Sequence, residues 1–401
     1  MTDKQTMAEL PHTPDSIQKI ESRAKRGSRI LELDILRGIA ILLVLGHHLP
    51  VEMHEGRLLR IPMTIWYRVG WTGVDLFFVL SGFLVGGLLF NEIQTRGSLD
   101  AKRFIVRRGF KIWPSYYLCI AAQFAWNIWV EHKSTSYASY LFRYNALHVQ
   151  NYTGTGWHLW SLAVEEHFYL VLPLLLLAIT AGGKRPLPRY FPVIGAAVLL
   201  FCLSWRLIFF WNRPFDSMAM MFPTHIRMDS LFFGVLISYV YHYHATLFNN
   251  ISKYRTQLLV AGLIVIAPFC LLVQQEHRVI YTLGYSLLFA AYGAILIFLI
   301  TAPHSGGSWL RIRESFFVRL IAWIGTYSYS IYLWHYYIAI ALSKPEARVL
   351  LNPINPDLRL ALVAVFFVGT SVILGVILGK AVEIPMLHLR ERVFPARSTA
   401  V

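Results

Sequence analysis

Apolar runs close to 20 residues long recur along almost the whole chain, separated by short polar segments. About 20 apolar residues in helical conformation cross the hydrocarbon core of a bilayer, so this spacing predicts an all-α, polytopic transmembrane helix bundle. Ten spans are expected, at roughly 31–50, 71–90, 112–130, 158–180, 191–211, 228–243, 257–274, 280–301, 318–341 and 359–380. Residues 1–30 are polar and basic and are expected to form a disordered cytosolic segment, residues 31–385 the transmembrane domain, and residues 386–401 a short basic cytosolic tail. No cleavable signal peptide is predicted, because the first apolar run starts too late. No loop is long enough to fold alone; the largest outer one, about 131–157, would pack over the bundle. Internal repeats of the kind that mark many transporters are absent from the pattern.

Charge fixes the orientation. The chain has 37 Lys and Arg against 22 Asp and Glu, a net charge of +15. The basic residues collect in alternate loops: Arg96, Lys102, Arg103, Arg107, Arg108 and Lys111 after span two; Lys184, Arg185 and Arg189 after span four; Lys253 and Arg255 after span six; Arg311 and Arg313 after span eight. The other loops are poorer in Lys and Arg and carry acids such as Glu52, Glu55, Glu131, Asp216, Glu276, Glu346 and Asp357. Positive-inside topology then places both termini in the cytosol. This explains the net charge without a nucleic-acid partner. Composition agrees: 56% of residues are hydrophobic and 15% charged, too few charges to coat a soluble domain of this length. The three cysteines, Cys119, Cys202 and Cys270, lie in apolar runs without CxxC spacing, so neither a metal site nor a disulfide framework is expected.

Against that apolar background a few ionisable groups stand at membrane depth, where their cost makes them candidates for function. The first span, LDILRGIAILLVLGHHLP, carries Arg37 and His48. Eleven residues return to nearly the same helical face about 16 Å further along the axis, whereas His47 is turned roughly 80° away. Arg37 falls toward the cytosolic end and His48 toward the outer end. The topology adds Asp75 in the outer turns of span two, Glu165 and Glu166 about two turns into span four, and His335 in the outer half of span nine, near Tyr332. The inner half holds Arg37 and the run Arg107, Arg108 and Lys111.

A single buried His or acid is more often a structural bundle contact, but five such groups at one depth favour a site. A histidine beside a carboxylate is a general base able to activate a hydroxyl; Asp75, Glu165 and Glu166 all stand as its partner. Cations on the inner side suit a phosphorylated donor. The RRGFKIWP segment is expected at a helix start, which would also favour an anion. Gly82 and Gly86, and Gly375 and Gly379, are spaced as close-packing faces and carry no chemistry. No GxSxG elbow or HExxH motif is present; Ser81 is the one serine kept as an alternative nucleophile.

Taken in order, LDILRGIAILLVLGHH, GVDLFFVLSGFL, FIVRRGFKIWPSYY, WSLAVEEHFYLVLP, the weaker RMDSLFFGVLI, YSYSIYLWH and VEIP resemble the membrane-bound acyltransferase-3 family over nearly all of the chain after residue 30. The resemblance implies transfer of an acyl group, usually acetyl, from cytosolic acyl-CoA to a hydroxyl of a carbohydrate or lipid-linked glycan. It also implies an integral membrane location, in the inner (cell) membrane of a bacterium. Carried over residue by residue, Arg37 and His48 match the Arg/His motif, Asp75 the acid of GVDLFF, Arg107 and Arg108 the basic motif, and Glu165 the first acid of WSLxxEE. His48, Glu165 and Asp75 are then the expected catalytic residues. Arg37, Arg107, Arg108 and Lys111 are expected to hold acyl-CoA, which is a substrate rather than a resident cofactor. Glu166, His335 and Tyr332 are expected near the acceptor. Lys111 departs from the family's usual Arg and lacks its bidentate fork. Some relatives append an outer esterase-like domain; its absence here implies direct transfer or a separate partner. The alternatives are a transporter or flippase using the same charges as a relay, an acyltransferase of a non-glycan small molecule such as a macrolide, and a structural partner in an envelope assembly.

Overall fold

The computed structural model describes residues 31–50, 58–154, 158–182, 186–212, 214–271, 278–302, 307–345 and 354–395. The expected disordered segment 1–30 lies outside the described residues, as do Lys184, Arg185, Glu52, Glu55, Glu276 and Glu346. The described residues are all-helical, with no strand among them. The main helices are α1 (Leu31–His47), α2 (Arg60–Gly70), α3 (Gly73–Arg96), α4 (Ala101–Trp129), α5 (Thr135–Ala146), α6 (Trp160–Ile179) and α7 (Phe191–Asn212). They continue with α8 (Met228–Tyr243), α9 (Arg255–Leu271), α10 (Tyr285–Ile300), α11 (Phe316–Thr326), α12 (Ser328–Leu342), α13 (Pro356–Leu378) and α14 (Ile384–Val393).

Local chemistry sets the ends. Asp100 accepts from Arg103 N–H and Ser134 from Tyr137 N–H, capping α4 and α5. Asn355 caps α13 with Pro356 in its first turn. Gly97, at φ 64°, closes α3 in the left-handed region.

Five helical stretches are long and apolar enough to cross a membrane on their own: Gly73–Arg96, Trp160–Ile179, Phe191–Asn212, Ile280–Ile300 and Pro356–Val393. A sixth arises if α8 is joined to the short helix Ala245–Ser252, to which it is bent by 111°. Among the described residues, helix covers most of each of the ten expected apolar stretches, but the remaining ones are shorter or more polar than a simple span. Span nine is not continuous: it divides at Tyr327 into α11 and α12. The cause is packing. Gly325 presses on the backbone of α1, where an added Cβ would overlap the Asp34 carbonyl, while α12 leaves to pack on α13. The basic run also differs from expectation. Helix α4 starts at Ala101, so Arg107, Arg108 and Lys111 lie in its second and third turns and not at its N-terminus.

Helix α1 is central, packed by α2, α3, α10, α11 and α12. A second tight crossing joins α3 to α8, where a Cβ at Gly82 would overlap Leu231 O and one at Gly234 would overlap Val79 O. Gly86 lies against Val235, Gly375 against Ile331 and Gly379 against Tyr327. These glycines act through close approach, which brings α1, α3, α6, α8 and α12 near enough to share side-chain sites.

Candidate active site

Two cavities lie end to end inside the bundle. The first is lined by Arg37, Arg108, Lys111, Ser81, Glu165 and Tyr169 among apolar residues. The second is lined by His47, His48, His158 and Arg227 with an aromatic wall that includes Trp71, Trp160, Tyr281, Tyr285 and Tyr336. Val74 and Tyr332 line both, so the two cavities adjoin at these side chains. A third, shallower opening reaches His47 and His48 from another side, with Glu131 and Lys344 among its lining.

In the first cavity Arg37 is held by Asp34 one helical turn earlier, at 2.6 Å. Arg108 lies 5.2 Å above the Tyr169 ring, a cation–π contact. The Tyr169 hydroxyl donates to Glu165 at 3.0 Å and lies 2.8 Å from Ser81 Oγ, so Ser81 is engaged with a phenol. Among the described residues neither Arg108 nor Lys111 makes an ion pair. Arg107 points elsewhere: Glu391 of α14 binds it at 2.8 Å, and Phe394 O accepts a further hydrogen bond from it. Of the four expected donor-binding cations, the structure brings three together and separates Arg107.

In the second cavity His48 sits at the end of α1. Its Nδ1 is 3.1 Å from Val44 O and 3.3 Å from His335 Nε2. His335 is fully buried, and its Nδ1 lies 2.7 Å from Tyr332 O. No carboxylate among the described residues hydrogen-bonds to His48. Glu165 belongs to the first cavity. Glu166 accepts from Trp113 Nε1 at 3.2 Å and lines neither of the two. Asp75 is the counter-ion of Arg227, at 2.8 Å, with both side chains almost fully buried. The imidazole partner of His48 is therefore another imidazole, where the sequence suggested a carboxylate.

Arg227, the Arg206–Asp229 pair, His158 and Glu383 escaped the sequence reading, whereas Tyr332 was expected. Arg227 sits 3.5 Å from the Tyr285 ring centroid, and its neighbour pair Arg206–Asp229, at 2.6 Å, is wholly buried. Both belong to or contact RMDSLFFGVLI; two arginines beside apolar runs were the available signal. His158 donates from Nε2 to Leu333 O at 3.1 Å and stacks on Tyr336; it stands two residues before the WSLAVEEHFYLVLP segment and was not singled out. Tyr332 is tied down from both sides, donating to His158 O at 2.6 Å and lying 2.6 Å from Ser161 Oγ. Glu383, in VEIP, accepts from Ser330. Among the described residues no cluster of three or more His, Cys, Asp or Glu is arranged to hold a metal ion.

A cation-lined cavity and a histidine-lined cavity thus adjoin inside the helical bundle. A family model described as an acyltransferase domain matches residues 30–380, and the chain belongs to this acyltransferase-3 family. Among curated relatives it is 29% identical over 351 residues to the peptidoglycan O-acetyltransferase OatA of Listeria monocytogenes, an alignment covering 82% of this chain and 52% of that one. It is 28% identical over 343 residues to YrhL of Bacillus subtilis, provisionally named a peptidoglycan O-acetyltransferase (79% and 49% covered). It is 26% identical over 333 residues to a provisionally named O-acetyltransferase of Staphylococcus aureus (79% and 51% covered). The chain spans about half the length of these relatives. No solved structure matches it.

Proposed function

We propose that the chain is an integral membrane O-acetyltransferase that moves an acetyl group from cytosolic acyl-CoA to a hydroxyl of a cell-envelope glycan, with peptidoglycan the leading acceptor. One observation carries this reading: a cation-lined and an imidazole-lined cavity share only Val74 and Tyr332. Arg37, Arg108 and Lys111 supply counter-charges for the phosphates of the donor. His48, at the far end of α1, takes the proton of the acceptor hydroxyl. The aromatic wall of the second cavity offers flat apolar faces with a few fixed polar groups, as ligand sites generally do. The names of the relatives supply the acetyl group and the glycan class. With ten membrane passages and both termini in the cytosol, following the positive-inside rule, the cationic cavity lies toward the cytosol and His48 toward the outer face. A bacterial cell membrane is the matching location.

The test is acetyl transfer in proteoliposomes, with labelled acetyl-CoA on the cytosolic side and soluble peptidoglycan fragments as acceptor. Wild-type protein should label the fragments. His48→Ala should lower kcat about 1000-fold, within the range general-base removal produces, with the KM for acetyl-CoA unchanged. Wild-type kcat in His48→Ala would end the assignment of His48. A second reading, a transporter using these charges as a relay, draws on the break at Tyr327 and the 111° bend after α8, since interrupted helices line transport sites. The same preparation separates the two: saturable acetyl-CoA binding supports the transferase, and its absence with substrate flux supports transport.

A further inference from the structure

We propose that His335 is the positioning residue of His48: it fixes the tautomer that leaves His48 Nε2 as the basic atom, and it takes up part of the proton that His48 removes. This rests on the reading of His48 as the base.

The hydrogen-bond network assigns both tautomers. A backbone carbonyl can only accept, so the 2.7 Å contact to Tyr332 O puts a proton on His335 Nδ1. In the neutral ring the other nitrogen, Nε2, then carries a lone pair. That lone pair meets His48 Nδ1 at 3.3 Å. His48 Nδ1 is also 3.1 Å from Val44 O, a second pure acceptor. His48 therefore carries its proton on Nδ1, shared between Val44 O and His335 Nε2. Its remaining nitrogen, Nε2, holds the free lone pair. That atom has no protein hydrogen-bond partner among the described residues, and the ring lines both the second cavity and the outer opening. The polarity of the chain thus runs from the backbone of α12, through two rings, to the cavity.

Each ring is anchored by its own helix, His335 to the carbonyl three residues before it and His48 to the carbonyl four before it. His158 does not compete, because its Nε2–H goes to Leu333 O. His47 has no such second ring at its Nδ1, which reaches Tyr67 O at 3.2 Å. In hydrolase triads a carboxylate stands behind the base; here a neutral imidazole does. His335 is fully buried, and an isolated cation there would be costly. A second imidazole lets two rings share the charge.

The proton balance is closed. The acceptor O–H bond breaks and its proton goes to His48 Nε2. The Nδ1 proton of His48 stays in the hydrogen bond to His335 Nε2, so the positive charge is shared between the two rings. The acceptor oxygen bonds to the acyl carbon of the thioester and the C–S bond breaks. The proton on His48 Nε2 then passes to the released thiolate, and both rings return to their neutral tautomers.

The test compares His335→Leu, which keeps side-chain volume without an acceptor, with His335→Gln, whose amide oxygen restores an acceptor near the Nε2 position. In the proteoliposome assay His335→Leu should lower kcat about 100-fold, with both KM values within two-fold. His335→Gln should recover at least ten-fold of that loss. A packing role alone predicts no advantage for Gln. Nitrogen-15 spectra of histidine-labelled wild-type protein in lipid, assigned by the signal lost in His48→Asn, should show His48 neutral with its proton on Nδ1. These spectra report on wild-type His48 even if the His335 variants fold poorly. An Nε2-protonated His48 in the wild type, or wild-type kcat in folded His335→Leu, would overturn the proposal. If His335→Leu is fully active while His48→Ala is dead, His335 alone is misassigned. If His48→Ala is active, the base assignment itself has failed.

Discussion

The two cavities treat positive charge in opposite ways. In the second, Arg227 is buried at 1% exposure and its charge is met by Asp75 at 2.8 Å. In the first, Arg37 is paired with Asp34, but Arg108 and Lys111 line the space without an ion pair among the described residues. A buried arginine left unpaired is unfavourable by several kcal/mol, so a permanent counter-ion marks a permanent part of the wall. Cations at a cavity surface without one are poised for an anion that comes and goes. The neighbours Arg107 and Arg108 repeat the contrast over one residue: Glu391 occupies Arg107, whereas Arg108 lies against the Phe104 and Tyr169 rings and makes no ion pair among the described residues.

The most severe way to probe this difference is to remove the counter-ion. Asp75→Asn leaves Arg227 charged and buried with no neutralising partner, and should destabilise the protein by about 3–5 kcal/mol. Thermal unfolding in detergent should show a large drop in Tm, recovered in part by Asp75→Leu combined with Arg227→Met, which removes both charges. Neutralising Lys111 to Met should leave Tm nearly unchanged. If Asp75→Asn folds normally and loses only turnover, Asp75 belongs to the chemistry and the distinction between the cavities fails.

A smaller effect should separate the adjacent arginines. Arg108→Ala should raise the KM for acetyl-CoA about ten-fold or more, since a hydrogen bond to a charged group contributes roughly 1.5–3 kcal/mol. Its kcat should stay within three-fold. Arg107→Ala should leave that KM within two-fold and instead loosen the C-terminal helix, read as faster proteolysis beyond residue 384. Equal KM effects from the two would contradict the placement of Arg107 outside the cavity.

Periodicity and charge made much of this visible in advance. Each apolar stretch is a helix because a run of that length has no other way to satisfy its backbone in a bilayer. Arg37, Arg108, Lys111 and Glu165 were named and do line one cavity, and His48 and His335 were placed at one depth and do meet. What the pattern could not supply was direction around each helix. Glu165 and Glu166 are adjacent in sequence, yet one faces the cavity and the other Trp113. Asp75 was expected near His48 because depth alone cannot distinguish it from the acid that pairs with Arg227. The break at Tyr327 was also hidden, since YSYSIYLWH contains no proline or glycine to signal it; the constraint comes from Gly325 against α1.

The least consequential charge pair is the one at the outer rim, and it tests whether proximity to His48 is enough to matter. Glu131, after α4, and Lys344, after α12, approach to 3.2 Å, with Trp126 Nε1 donating to the same carboxylate oxygen at 3.3 Å. Lys344 holds the Glu131 carboxyl below its usual value of 4.5. A carboxyl held low when folded adds stability above its unfolded value, and that stability is lost as pH falls through the folded one. Both groups are solvent-exposed, so the pair is expected to contribute little. Lys344→Ala should therefore change acetyl transfer less than two-fold at pH 7, and the small Tm difference from wild type should shrink as the pH falls below 4.5 and vanish once it is below the folded value. A ten-fold loss of transfer at unchanged Tm would show that this rim takes part in admitting the acceptor to His48, and would extend the second site outward to the ends of α4 and α12.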